Sequence, residues 1–153
     1  MTKKNTQDWH LDYDSVKVFS ESYGIYIVEK AGLFGVVQIQ NDDTIENAVP
    51  VEYDEIKVLF KNTYLLVAQK AHKKRVIKVT KRKILLSPYY DKIGSYVSYV
   101  GLIPVADGEL VGAIDKKLND IIPVQYDNLD NHAFHILNVG ALGKPALVMK
   151  KKR

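Results

Sequence analysis

The sequence predicts an all-β fold of about four consecutive antiparallel β-hairpin repeats, each of roughly 37 residues, in a single open or partly closed array. Three observations predict it. A short phrase recurs four times at near-constant spacing. The apolar runs between recurrences are strand-sized and bounded by Gly, Asn, Asp and Lys. Tyrosine, valine and isoleucine, which suit a pleated, half-buried surface, are abundant in the chain. No helix-length window carries a 3.6-residue apolar period between caps.

The recurring phrase is Tyr-Asp, one residue, then an aliphatic: Tyr13-Asp14, Tyr53-Asp54, Tyr90-Asp91 and Tyr126-Asp127, spaced by 40, 37 and 36 residues. Self-similarity at a period of this size is the mark of a repeat architecture. Proline precedes three of the four, at Pro50, Pro88 and Pro123. The Tyr-Asp pairs read as framework, not as proton-transfer groups. A tyrosine can bury its ring against the next hairpin while its hydroxyl finds a partner. An aspartate can accept backbone N–H bonds and fix a turn. A repeat needs such residues at each junction between units.

Within each interval, a hydrophobic stretch begins nine to eleven residues after the tyrosine: "YGIYIVEKAG", "YLLVAQKA", "VGLIPVADG" and "HILNVGALG". A second comes at once after it: "LFGVVQI", "KRVIKV", "LVGAID" and "PALVMK". Between them "AGL", "ADGEL" and "ALGKP" predict hairpin turns, where glycine can take positive φ at no steric cost. Gly35, Arg75 and Gly112 each fall 22 residues after their tyrosine. Each unit thus reads as a hairpin plus a third short strand near Pro-x-x-Tyr-Asp. Residues 1–10 read as a polar N-terminal arm, 11–149 as the repeat domain, and 150–153 as a basic tail.

From about Leu11 to Met149 the chain resembles the WG-repeat family, whose units run as a Gly-Lys-Trp-Gly turn and strand, then Pro-x-x-Tyr-Asp-x-Ile. The second element matches at Pro50–Ile56 and Pro123–Leu129, and Pro88-Tyr89-Tyr90-Asp91 is one residue tighter. The glycine of the Trp-Gly pair matches Gly35 and Gly112, with Phe34 and Val111 in place of tryptophan and Lys74-Arg75 in the second unit. The resemblance implies a binding or scaffolding module and no reaction.

The net charge of +4 is unevenly spread. Residues 1–69 carry a net −5, and 84–153 a net +1. The segment 70–83, "KAHKKRVIKVTKRK", carries eight basic and no acidic side chains: Lys70, Lys73, Lys74, Arg75, Lys78, Lys81, Arg82 and Lys83. As a strand it would put Ile77 and Val79 inward and Lys78 outward. Such a patch could follow a phosphate backbone, with Tyr64, Tyr89 and Tyr90 near enough in sequence to stack on bases. The same charges would equally serve an acidic protein surface, or simply blunt a sheet edge.

Other chemistries find little support. There is no cysteine, hence no disulfide and no thiolate. His10, His72, His132 and His135 show no spacing that converges on a metal. No phosphate loop, nucleophile elbow or zinc-protease helix motif occurs. The opening lacks the apolar core of a secretion signal, and no run approaches 18 apolar residues.

The expectation is therefore a soluble, cytoplasmic, non-catalytic module that binds a protein partner, without catalytic residues, metal, cofactor or membrane contact. That would suit a small inhibitor or accessory subunit, for example one acting on a nucleic-acid-handling complex such as a CRISPR effector. The alternative is direct RNA or DNA binding through the basic hairpin 70–83. An exposed edge strand at the shorter last repeat would permit homo-oligomerisation.

Overall fold

The computed structural model describes residues 6–40 and 44–126. Among these the fold is all-β, with three four-stranded antiparallel sheets and no α-helix. The first sheet runs in chain order: β1 (Ser15–Ser20), β2 (Ile25–Lys30), β3 (Leu33–Ile39) and β4 (Ile45–Tyr53). The second does the same with β5 (Glu55–Phe60), β6 (Leu65–Lys70), β7 (Lys73–Val79) and β8 (Ile84–Leu86). The third holds β9 (Lys92–Ile93), β10 (Leu102–Asp107), β11 (Leu110–Asp115) and β12 (Asp120–Tyr126). The described residues divide into two compact units, one of those up to His72 with Ile77–Leu86, the other of Lys73–Val76 with those from Ser87 to Tyr126.

Each Tyr-Asp interval therefore folds as a four-stranded meander, not as a hairpin with one short extra strand. The difference arises on either side of the phrase itself. The residues before Tyr53 and Tyr126 pair as full strands, β4 on β3 and β12 on β11. The residues just after Asp14, Asp54 and Asp91 start the next first strand. Asp127, the fourth unit and the basic tail lie outside the described residues.

The three meanders share a code counted from the tyrosine. At position +1 an aspartate carboxylate accepts the backbone N–H of position +18: Asp14 from Ala31 at 2.8 Å, Asp54 from Ala71 at 2.8 Å, and Asp91 from Gly108 at 2.5 Å. The aspartate N–H donates in turn to the carbonyl at +16, on Glu29, Gln69 and Ala106. Position +18 opens the two-residue turn between the second and third strands and is left-handed every time, with φ of 54°, 58° and 59°. Position +11, just before the second strand, is left-handed as well: Gly24 at 68°, Tyr64 at 57° and Gly101 at 72°.

Position +22 is governed by crowding. Phe34 pairs with Tyr53 and Val36 with Val49, so residues 50–52 bulge across from Gly35 alone. A Cβ on Gly35 would lie 2.6 Å from the Val49 carbonyl oxygen, and one on Gly112 would lie 2.4 Å from that of Ile122. The middle unit has Arg75 here, and its bulge is one residue shorter. Lys74 bridges Tyr90, the Val76 carbonyl accepts the Ser87 N–H, and just Pro88 and Tyr89 stand between. Ser87, fully buried, closes the gap: its Oγ accepts the Val76 N–H at 2.8 Å and donates to the Pro88 carbonyl at 2.7 Å.

The repeat tyrosines Tyr53, Tyr90 and Tyr126 are buried, while Tyr13 is half-buried. Tyr126 packs with Leu102, Ala113 and Ile122 in one core cluster. In the first unit Trp9 packs on Val28 and Val37, flanked by Tyr13 and Tyr26. Within the polar N-terminal stretch, Trp9 is a core side chain carried by a short 3-10 segment, Thr6–Asp12. Averaging polarity over ten residues hides one large ring. The outer strands β1 and β5 are alike too: each carries a mid-strand lysine, Lys17 or Lys57, and a register shift, at Val18/Ser20 or Val58/Phe60. A lysine and a bulge on an edge discourage pairing with another chain.

Candidate interaction site: the cationic turn and its cleft

The eight cations of 70–83 differ in what their side chains are engaged with. Lys70 pairs with Glu52 at 3.1 Å. Lys73 donates to Asp91. That bond, and after it the Gly108 N–H, holds the Asp91 carboxyl below the usual carboxylate range; the same Asp91 contact raises the Lys73 ammonium. Arg75 Nε donates to the Ser87 carbonyl at 2.9 Å, with its guanidinium 4.1 Å above the centre of the Tyr89 ring. The backbone of Lys74 is bridged to Tyr90.

Lys78 corrects the face assignment. Val76, Ile77 and Val79 are all buried, so both faces of β7 are covered, and Lys78 is half-buried with its ammonium on the Thr63 carbonyl. The alternation rule presumes one wet face, which this central strand lacks. Among the tyrosines, Tyr90 is buried and Tyr89 lies under Arg75, so neither offers both ring faces to a base. Tyr64 stacks on Tyr23, with centroids 4.4 Å apart and planes inclined at 30°. Burial, and after it the neighbouring Tyr64, raises the Tyr23 phenol.

Four side chains remain: Lys74, which is half-buried, and three on one turn. Lys81, Arg82 and Lys83 are exposed on the turn between β7 and β8, and no described carboxylate pairs with them. This turn is held from within and from without. The Thr80 N–H donates to the Lys83 carbonyl at 2.8 Å, and Thr80 Oγ1 accepts the Lys83 N–H at 3.0 Å. From β3, the fully buried Gln38 donates its amide to the carbonyls of Thr80 at 2.8 Å, Lys81 at 3.1 Å and Tyr23 at 3.2 Å. From β4, Asn47 donates to the Arg82 carbonyl at 2.9 Å and to Gln38 Oε1 at 2.7 Å. Two amides thus bind the carbonyls of three successive turn residues, and the charged side chains are left to solvent.

Gln38 belongs to no motif, and sequence reasoning misses it. The available signal is a polar residue at the end of an otherwise apolar strand, "LFGVVQI". Its counterpart 40 residues on is Lys78, and the two do the same work. Gln38 reaches the carbonyl of Tyr23 and Lys78 that of Thr63, the residue just before the left-handed position in each unit.

A cleft of about 380 Å³ adjoins the turn. The bend before β2 lends it Glu21, Ser22 and Tyr23; β2 lends Tyr26; the cationic turn lends Lys81 and Arg82. His10 and His72 are exposed, His132 and His135 lie outside the described residues, and no described group of three His, Asp or Glu converges on a metal position. No described helix is long and apolar enough to cross a membrane. Comparison of the chain with family models, curated proteins and solved structures finds no match.

Proposed function

We propose that this chain is a non-catalytic protein-binding module of degenerate WG-like repeats, and that it grips an acidic patch on its partner through Lys81, Arg82 and Lys83. The observation that carries the reading is the amide clamp. Gln38 and Asn47 fix the backbone carbonyls of the turn, so three adjacent cations are presented with little backbone entropy left to lose on binding. A phosphate track would need cations spaced along a strand. Here Lys70, Lys73, Arg75 and Lys78 are engaged with Glu52, Asp91, Ser87 and Thr63, which favours a compact acidic surface over a nucleic-acid strand. A small inhibitor or accessory subunit is a role that such a module fits.

The test is capture of partners from host lysate by tagged protein, with and without nuclease, using wild type and the K81E/R82E/K83E variant. The reading expects a defined protein that survives nuclease and is lost with the variant. Recovery of nucleic acid alone, abolished by nuclease, would instead support direct RNA or DNA binding.

A further inference from the structure

We propose that the cleft beside the cationic turn is a binding site for a ribonucleoside monophosphate. This goes beyond the protein-binding reading: it shares Lys81 and Arg82 with it and adds the lining of the cleft, while Lys83 belongs to the protein-binding reading alone. At about 380 Å³ the cleft falls within the range of small-ligand sites. Lys81 and Arg82 supply the positive end, and phosphate recognition favours such charge-assisted contacts. Their backbone is held by Gln38 and Asn47, so the cations are placed before a ligand arrives.

The remaining lining selects among anions. Glu21 contributes a carboxylate to the same cleft, which works against a bare phosphate or a polyanion. A carboxylate accepts from hydroxyls, however, and is the group that recognises a ribose 2′-hydroxyl in other folds. Tyr23 and Tyr26 line it as well, each with one ring contact already made, to Tyr64 and to Trp9, and Ser22 and Gln40 complete the polar lining. A ligand with an anionic end, vicinal hydroxyls and a planar apolar part satisfies all three features, and a nucleoside monophosphate is the smallest common molecule that does.

The whole chain would be titrated by calorimetry with AMP, GMP, CMP and UMP, then with the 2′-deoxy form of the best ligand, its nucleoside and inorganic phosphate. Saturable binding of at least one monophosphate is expected, with nucleoside and inorganic phosphate each weaker by about tenfold or more. K81Q/R82Q should lower the affinity for the monophosphate to that of the nucleoside, since the clamp uses backbone carbonyls that survive the change. E21Q should abolish the preference for the ribonucleotide over its deoxy analogue. No saturable binding up to about 1 mM, or equal binding of inorganic phosphate, would overturn the proposal. K83E separates the two readings: Lys83 does not line the cleft, so this variant should weaken partner capture and spare nucleotide binding.

Discussion

The carboxylate of Asp54 accepts the backbone N–H of Ala71 at 2.8 Å, and Ala71 holds φ at 58°, a conformation that costs an L-residue about 1–2 kcal/mol. The aspartate thus offsets strain at the turn it ties down. Asp54→Ala should destabilise the protein by about 1–2 kcal/mol, the range for a partly solvated charge-assisted bond. Asp14→Ala should act alike through Ala31. A stability from urea unfolding unchanged to within about 0.3 kcal/mol would reduce these residues to surface decoration.

Glycine belongs at the same turns. Ala31→Gly and Ala71→Gly should each stabilise by about 0.5–1 kcal/mol, relief of left-handed strain outweighing the extra entropy of the unfolded chain. Loss of stability in both would mean that the alanine methyls make contacts that matter more than backbone conformation.

Position +22 should behave oppositely. Gly35→Ala and Gly112→Ala force a methyl to within 2.6 Å and 2.4 Å of backbone carbonyls that cannot swing aside. A loss of about 2–3 kcal/mol is expected from such overpacking. Gly32→Ala is the control: nothing stands within 4 Å, and φ of 82° is its sole cost. The three thermal midpoints should rank accordingly.

The Lys73–Asp91 contact predicts a pH window. Asp91 has a depressed carboxyl in the folded state, so its contribution is present above the ordinary carboxylate pKa of about 4 and is lost as pH falls through the lower folded value. Lys73, raised by the same bond, keeps its contribution below about pH 10 and loses it above. Protection of the Gly108 amide against exchange, measured by NMR relative to the intrinsic rate at each pH, should fall in wild type as pH drops below about 4. Asp91→Asn should already exchange fast at neutral pH and show no acid step.

Trp9 is the chain's single tryptophan, and it is buried against Tyr26 at 5.2 Å between ring centroids. Its emission should be blue-shifted in the native state and move red on unfolding. Trp9→Ala should cost about 3–5 kcal/mol. Emission typical of solvent-exposed indole at neutral pH would show that the Thr6–Asp12 segment is not docked.

The sequence displays the period, the strand class and the hairpin turns at Ala31-Gly32 and Gly108-Glu109. All of these arise from local stereochemistry, which any one repeat expresses by itself. The four-strand count is less legible because the stretch near each Pro-x-x-Tyr-Asp reads as one short strand, whereas Pro50 and Pro123 sit at bulges inside full strands. The candidate site is legible only as charge. Lys81, Arg82 and Lys83 look the same on paper as Lys70, Lys73 and Lys78. What separates them is a set of partners, Glu52, Asp91 and the Thr63 carbonyl, that tertiary folding supplies. Gln38 stays invisible for the same reason, since its task is set by carbonyls about 42 residues away.

The fixed offsets of +1, +11, +18 and +22 all fall in the first part of each repeat, and the spacings of 40 and 37 residues differ only in the residues beyond +22. The chain therefore has a constant region and a variable one within every period, much as an antibody domain has framework and loop. The cationic turn belongs to the variable part. A new recognition sequence grafted between Val79 and Ile84 would leave the counting untouched, which makes this interval the natural place for the lineage, or an engineer, to change what the protein holds.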